Sequence, residues 1–479
     1  MPKYQYDVVV IGGGSGGLVA ARLTAALGAR TCLIDKQRLG GDCLRFGCVP
    51  SKTLIHAAKM VHTASEAIDF YSDQGERQFK VNMAKVASRI QEVIGTVEKA
   101  EEVYVREVEV RFGQAEFKSS HELWLDGQPV TSQAFILATG SSPRVPQAEG
   151  LAEVGFLTNE SVFDLLSLPP SLLVVGGGPI GVEMAQAFAR LGSAVTIVQG
   201  PDRVLPREEV EVSQEVAAAL ERDGVKIITG ARLKAARCQG DLKVVVASRG
   251  SETLELADHE IVLALGRQPN TNGLGLSSAG VAFDEKGIKV DEYLQTTADN
   301  IFAIGDVIGG YLFTHVAAYQ GGLAARNALL PKLVGRKKVD YRVVPWVTFT
   351  EPEAARVGLT EAEAARQYGG KIKVQRFPWH DIDRAQTEGE TAGFIKLVLD
   401  EKSEEIYGAH LVGAHAGEVL AEVALAMQHK LGISDILATI HSYPTLATGM
   451  QNAAFEAYLS SSAFASARKT LKPVLTLRG

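Results

Sequence analysis

Cysteine is scarce in this sequence, with four in 479 residues. So sparse a set excludes a disulfide-stapled secreted scaffold. Charge of positive sign is also short: the net charge is −7 and the pI is near 5.9. No basic stripe is present to neutralise a phosphate backbone, which argues against a nucleic-acid partner. Long apolar runs are missing as well. The uncharged stretch LLSLPPSLLVVGGGPIGV at 165–182 is broken by Pro169, Pro170 and a glycine triplet. It suits a buried strand entering a glycine loop, not a membrane helix. The opening MPKYQYDVVVIGGG has no apolar core ahead of a small-residue cleavage site, so no secretory signal is expected. These absences lead to the expectation of a cytoplasmic protein with neither membrane nor nucleic acid as a partner.

Glycine is what the chain has in excess. Its 48 glycines make up about a tenth of the residues, against an average of roughly 7%. They cluster, which points to close backbone approaches. The length implies two to four domains. Two segments share one design. DVVVIGGGSGG at 7–17 is an apolar run ending in Gly12-x-Gly14-x-x-Gly17, followed by a helix-like run and a short strand, TCLID, ending at Asp35. LLVVGGGPIGVEMAQAFARLG at 172–192 carries Gly176-x-Gly178-x-x-Gly181 and leads to AVTIVQ, ending at Gln199. Asp35 lies 23 residues after Gly12 (35 − 12), and Gln199 lies 23 after Gly176 (199 − 176).

Both segments read as βαβ dinucleotide units. The first glycine permits the tight turn, the second lets backbone approach a pyrophosphate, and the third lets helix pack on strand. The phosphates then meet the N–H groups and dipole of a helix N-terminus. A lone motif of this kind is weak; two, each between strand and helix with equal offsets, are not. Asp35 suits a ribose with both hydroxyls free. Gln199 lacks the charge that would repel a 2′-phosphate, and Arg203 and Arg207 follow it. This leans toward NADPH over NADH at the second unit; a solvated loop is the other reading of the arginines.

Further apolar runs end in glycine turns at FILATGSSP (135–143), IVLALGRQPN (261–270) and NIFAIGDVIGG (300–310). Asp306 stands at the end of such a strand, where ligands bind in open α/β sheets; its plainer role is a turn or helix cap. From about residue 341, strand-like runs (YRVVPWVTFT, KIKVQRF, GFIKLVLD, EIYGAHLVG) precede a helical stretch, GEVLAEVALAMQHKLG, as in an α+β domain with an antiparallel sheet. Residues 331–340 read as a linker. Cys32 and Cys238 read as core or surface residues without chemistry.

The stretch GGDCLRFGCVPSK at 40–52 joins two cysteines and a lysine. Together with the two glycine motifs and IFAIGDV, it resembles the class I FAD-dependent pyridine nucleotide–disulfide oxidoreductases, across essentially the whole chain. Asp42, where threonine is usual, is similar to mercuric-reductase-like members. The resemblance implies two Rossmann-like domains and a C-terminal α+β dimerisation domain. The expected boundaries are a split FAD-binding domain (1–150 and 271–340), an NAD(P)H-binding domain (151–270) and an interface domain (341–479) that forms a homodimer. It implies that electrons pass from NAD(P)H through FAD to a Cys43–Cys48 disulfide, and on to an acceptor. No resident metal is expected.

By this resemblance Cys48 faces the flavin, Cys43 meets the acceptor, Lys52 lies beside the reactive flavin nitrogen, and Glu183 pairs with Lys52. Ala115 in GQAEF would lie beside the FAD adenine and Gly140 in ATG near the flavin nucleotide. Asp306 would bind the flavin side chain, Thr314 and His315 in LFTHVA would give backbone contacts at the ring, and Gly266 in ALGR would line the NAD(P)H site. Residues five apart on a regular helix lie roughly 8–9 Å apart at Cα, whereas a disulfide needs less than about 7 Å. Residues 43–48 must therefore leave regular helix, and Gly47 is expected to supply the backbone freedom. Pro50 suits a first helical turn. Cys48 then sits near a helix N-terminus, which favours thiolate, with Lys52 on the same helix face.

One part departs from the family. Its disulfide reductases carry a His-Pro-Thr motif with a glutamate five residues after the histidine, a dyad that protonates the leaving thiol from the partner subunit. Here the stretch is IHSYPTLATGM: Tyr443 takes the histidine position and Thr448 the glutamate position. A phenol with pKa near 10 is a poor base at neutral pH. His441, two residues earlier, would share a face with Tyr443 if the segment were a strand, which makes it a candidate substitute; a structural histidine is the plainer reading. Tyrosine at this place resembles mercuric reductases, but this sequence has no vicinal cysteine pair near residue 479. The acceptor expected is a small electrophile, a quinone, a metal ion or oxygen. The alternatives are a dihydrolipoamide dehydrogenase or glutathione-type reductase, and a flavoprotein sensor or assembly component with vestigial turnover.

Overall fold

In the computed structural model, which describes residues 3–71, 80–330 and 335–476, YDVVVI forms the strand Tyr6–Ile11 with Val8, Val9 and Val10 fully buried. A strand apolar on both faces belongs inside a parallel sheet. It lies between Thr31–Asp35 and Gln128–Leu137, parallel to both, and Glu109–Phe112 extends the sheet at one side. The start of Gln128–Leu137 pairs antiparallel with Glu122–Leu125, which pairs with Ala115–Ser119. Ile301–Ala303, from far along the chain, adds in parallel against Phe135–Leu137. The chain thus returns to its first sheet after building a second.

The second unit repeats the first. Ser171–Val175 lies between Ala194–Val198 and Glu260–Leu263, with Lys226–Ile228 at the edge, all parallel. Ala231–Gln239, Leu242–Arg249 and Glu252–Asp258 form an antiparallel sheet beside it. Helices Ser15–Ala26 and Pro179–Leu191 follow the two glycine loops. A Cβ on Gly17 would lie 1.8 Å from the Gly12 carbonyl oxygen, and one on Gly181 would lie 1.8 Å from that of Gly176. Only glycine lets these helices sit so close to the loops.

The C-terminal part is a five-stranded antiparallel sheet, in the order Pro345–Thr348, Glu353–Gly358, Ile406–Gly413, Phe394–Asp400, Ile372–Pro378. Helices Ala416–Gln428 and Thr448–Leu459 pack on it around the buried Trp379, Leu397 and Leu411. The sequence reading found four of these strands. It missed Glu353–Gly358, whose Glu-Ala-Ala-Arg run favours helix locally but is held as a strand by ladders on both sides. Of the expected linker, 331–334 lies outside the described residues, and 335–340 forms neither helix nor strand. Among the described residues, no helix is long and apolar enough to cross a membrane.

The helix Cys48–Tyr71 packs against Pro179–Leu191, and two ionic layers join them. In the first, Lys52 Nζ lies 2.8 Å from Glu183 Oε2. The second lies seven residues further along both helices (52 → 59 and 183 → 190), where two turns restore the same face. There Lys59 and Arg190 both pair with Glu351, and Arg190 Nε also lies 2.9 Å from Asp223. Gln186 Nε2 donates to Asp223 and to the Glu351 carbonyl, each at 2.8 Å. Arg190 and Asp223 side chains are 9% and 8% exposed. Arg190→Met would leave the buried Asp223 without its cation and Glu351 with Lys59 alone, and is expected to cost about 3 kcal/mol, as for a broken buried pair. Lys59→Met, at a half-exposed position, should cost under about 1 kcal/mol. Urea unfolding of the flavin-loaded protein compares the two.

Candidate active site

The segment Gly41–Arg45 makes a short helix, the chain breaks at Phe46–Gly47, and the long helix begins at Cys48. The break brings the two thiols close enough for each to shift the other's titration. Gly47 is needed for a reason other than the one expected. Its backbone is not in the left-handed region. Instead, a Cβ there would lie 3.0 Å from Cys43 Cα and 3.1 Å from the Asp42 carbonyl oxygen, so what glycine supplies is room. Pro50 falls in the first turn of the long helix, where its missing N–H costs no bond.

Thr314 opens the helix Thr314–Leu329, and its hydroxyl lies 3.4 Å from the Cys48 sulfur. Two helix N-termini therefore meet at this thiol, and both favour negative charge. The Cys48 pKa is drawn down to about 6, chiefly by the Cys43 S–H, against the effect of burial, with the Thr314 hydroxyl and the Lys52 ammonium adding to the fall. The same contact and burial push the Cys43 thiol up. These causes favour the thiolate at Cys48 and the thiol at Cys43.

Lys52 Nζ also lies 4.3 Å over the Phe349 ring. Glu183, 5% exposed, accepts from Lys52 on Oε2 and from the Phe349 N–H at 2.9 Å on Oε1. The structure thus brings Cys43, Cys48, Lys52, Glu183 and Thr314 together. Phe349 had no signal in the sequence. His315 Nε2 lies 2.8 Å from the Pro345 carbonyl oxygen, its ring stacks on Phe313, and burial lowers its pKa.

The glycine loops present the space a dinucleotide needs. Cβ atoms on Gly12 and Gly176 would lie 2.2 and 2.3 Å from the carbonyl oxygens of Ala138 and Ala264, closing the turns against the sheets. Gly14 has nothing nearer than Gly41 Cα at 3.8 Å, and Gly178, Gly140 and Gly266 have nothing within 4 Å. Bare backbone at two helix N-termini faces open space, which fits pyrophosphate at both loops. Ala115 is buried in its strand. Asp35 accepts from the N–H groups of Gly13, Gln37 and Arg38, so it braces the loop and leaves less of its carboxylate for a ribose than expected.

Two expectations for the second loop change. Gln199 is buried, accepting from the Gly177 N–H at 2.8 Å and donating to the Arg203 carbonyl at 3.2 Å. Arg203 directs its Nη2 at the carbonyls of Pro206 and Glu208, so its guanidinium is turned inward. A cluster the sequence reading missed stands beside Asp306. Arg267 lies 3.0 Å from Asp42, 2.6 Å from Ser141 Oγ and 3.6 Å from Asp306. Asp306 accepts from Ser141 at 2.5 Å, and burial raises its pKa. Asp42 also accepts from Asn159 at 3.2 Å. Arg267 directly follows Gly266 in ALGRQPN, so its place in the motif was the signal to follow.

Tyr443 and His441 make their contacts elsewhere. Tyr443 is 73% exposed, and its hydroxyl donates to Asp383 at 2.7 Å, which raises its pKa. His441 has Nδ1 2.9 Å from the Thr439 carbonyl oxygen and Nε2 2.9 Å from Glu422. Both ring nitrogens are engaged and the side chain is 6% exposed, so it clips its segment to the helix Ala416–Gln428. Thr448 donates to the Thr445 carbonyl. Cys32 is buried and Cys238 exposed. Among the described residues, no three His, Cys, Asp or Glu side chains are placed to hold a metal.

Because the Cys48 pKa is lowered, its thiolate should persist as pH falls and disappear below about 6. In dithiol-reduced protein the thiolate ultraviolet absorbance is expected to titrate with that midpoint. Cys43→Ala should move the midpoint upward most and Lys52→Met upward less; a midpoint that neither variant moves contradicts the assignment of causes.

Comparison with known proteins agrees with this geometry. The family model described as pyridine nucleotide-disulphide oxidoreductase matches residues 6–321, and its dimerisation domain matches 344–454. A mercuric reductase of Bacillus cereus is 35% identical over 455 residues, covering 94% of this chain and 71% of that protein. A dihydrolipoyl dehydrogenase of Thermus scotoductus is 37% identical over 460 residues, covering 94% of this chain and 96% of that protein. The solved HOCl-induced flavoprotein disulfide reductase RclA from Escherichia coli superposes with a TM-score of 0.83 at 31% identity, covering 93% of this chain and 99% of that one. Members of this family use FAD and NAD(P)H. The chain belongs to the pyridine nucleotide–disulfide oxidoreductases, as an oxidoreductase carrying the family's dimerisation domain.

Proposed function

We propose that this chain takes electrons from NADPH through FAD and the Cys43–Cys48 pair and delivers them to a soft metal ion or another small electrophile, not to a substrate disulfide. The observation that carries this reading is an imbalance. A thiolate at Cys48 is strongly favoured, whereas the group at the leaving-thiol acid position, Tyr443, has its pKa raised and its proton bonded to Asp383. Reducing a disulfide releases a thiolate that needs a proton; reducing a thiolate-bound metal ion does not. Soft metal ions prefer thiolate ligands. Relatives named mercuric reductase, and a solved Cu(II) complex of RclA, support the same class of acceptor.

In this reading Gly12, Gly14, Gly17, Asp35, Ala115, Gly140 and Asp306 hold FAD from residues 1–150 and 271–340. Gly176, Gly178, Gly181, Gln199 and Gly266 hold the nicotinamide dinucleotide from 151–270, and 341–479 pairs two chains as a homodimer. Bound FAD supplies the two-electron carrier between nicotinamide and disulfide. Lys52, fixed by Glu183, keeps positive charge beside the Cys48 sulfur. Cys43, protonated while Cys48 is a thiolate, loses its proton as it binds the acceptor, and the pair returns to the disulfide as two electrons leave.

An acceptor panel on the purified flavoprotein tests this. Turnover is expected with Cu(II) or Hg(II) and is lost in Cys43→Ser, which keeps slow oxygen or quinone reduction. Lipoamide and glutathione disulfide should be poor acceptors. The double variant Tyr443→His with Thr448→Glu should raise disulfide turnover by up to about a hundredfold, the usual size of general acid catalysis. Wild-type turnover on either disulfide that already equals the double variant rejects the proposal.

A further inference from the structure

We propose that Arg232 is the residue that reads the 2′-phosphate of NADPH, in place of Arg203. This rests on assigning a nicotinamide dinucleotide to the second glycine loop. In a βαβ unit the adenosine ribose lies at the end of the second strand, where an acidic residue selects a free 2′-hydroxyl and a nearby arginine accepts a 2′-phosphate. Here that strand is Ala194–Val198, and Gln199 and Gly200 follow it.

Neither of these two residues attracts a phosphate. Gln199 is neutral, and its side chain is tied to the Gly177 N–H and the Arg203 carbonyl. Gly200 has no side chain, and the space beside it is taken by another part of the chain. The nearest atoms to a Cβ built on Gly200 are Arg232 Cγ at 3.6 Å and Arg232 Nε at 3.8 Å. Arg232 comes from the strand Ala231–Gln239. Two backbone bonds fix the start of that strand against the ribose end of the loop: Ala231 N–H to the Gln199 carbonyl at 3.0 Å, and Gly230 N–H to the Pro201 carbonyl at 3.0 Å. The stem of Arg232 therefore lies where a side chain at position 200 would project.

The three nearby arginines differ in where they stand and in what occupies them. Arg203 donates to the carbonyls of Pro206 and Glu208, and its Nη1 lies 3.7 Å from Asp202. Arg232 is exposed, and among the described residues its guanidinium has no hydrogen bond or ion pair. Arg207 is exposed too, and among the described residues its guanidinium likewise has no hydrogen bond or ion pair, so what sets Arg232 apart from it is the stem lying beside Gly200. A guanidinium fork with its donors open matches a phosphate in two parallel bonds. Glycine at 200 keeps the path to it clear.

Isothermal calorimetry on the flavin-loaded protein tests this, with NADP+ and NAD+ and with adenosine 2′,5′-bisphosphate and 5′-AMP as probes. The wild type should prefer each 2′-phosphorylated ligand at least tenfold. Arg232→Gln should erase that preference and leave NAD+ affinity within twofold, while Arg203→Gln keeps the preference. NADP+ affinity should also fall more steeply with salt in the wild type than in Arg232→Gln. Equal binding of both dinucleotides, or a preference that survives Arg232→Gln, overturns this inference alone. If neither dinucleotide binds, the assignment of the loop falls and the inference with it.

Discussion

One buried carboxylate joins the three parts of this molecule. Glu183 sits on the helix after the second glycine loop, pairs with Lys52 on the cysteine helix, and accepts the backbone N–H of Phe349 at the edge of the C-terminal sheet. An ionised carboxylate at 5% exposure is tolerated only with partners on both oxygens. That demand fixes the spacing between the cysteine helix and the second nucleotide unit. The Lys59–Glu351–Arg190 layer, two turns along, ties the same two helices a second time.

The two glycine loops show how space sets chemistry. Their turns and helix contacts are almost identical, down to the 1.8 Å approach at Gly17 and Gly181 that excludes any side chain. The difference lies at the ends of the second strands. Asp35 is a charged brace holding three N–H groups, whereas Gln199 is a neutral one holding a single loop N–H and one carbonyl. The same scaffold is therefore acidic at one ribose end and neutral at the other.

At the thiols, electrostatics separates two chemically identical groups. Cys48 has two helix N-termini, a hydroxyl and an ammonium around it, and Cys43 has Cys48 beside it. In the 439–448 segment, Tyr443 bonds to Asp383, and His441 bonds to Glu422 and Thr439. The centre is well equipped to hold a thiolate.

The fold class, the two nucleotide units and the cysteine pair were legible in the sequence, because each depends on local spacing: glycines that only a tight turn requires, and five residues that cannot stay helical. The Lys52–Glu183 contact was reached only through family resemblance, since 131 residues separate the partners. Tertiary structure alone decided the rest. Gly47 is needed for room against Cys43 and Asp42, a fact of packing and not of backbone preference. Arg203 follows Gln199 in sequence yet turns inward, while Arg232 reaches the same place from another strand. Glu353–Gly358 is a strand because it has neighbours on both sides. Local pattern determines what a segment can form; which charges and spaces meet depends on segments that only the folded chain brings together.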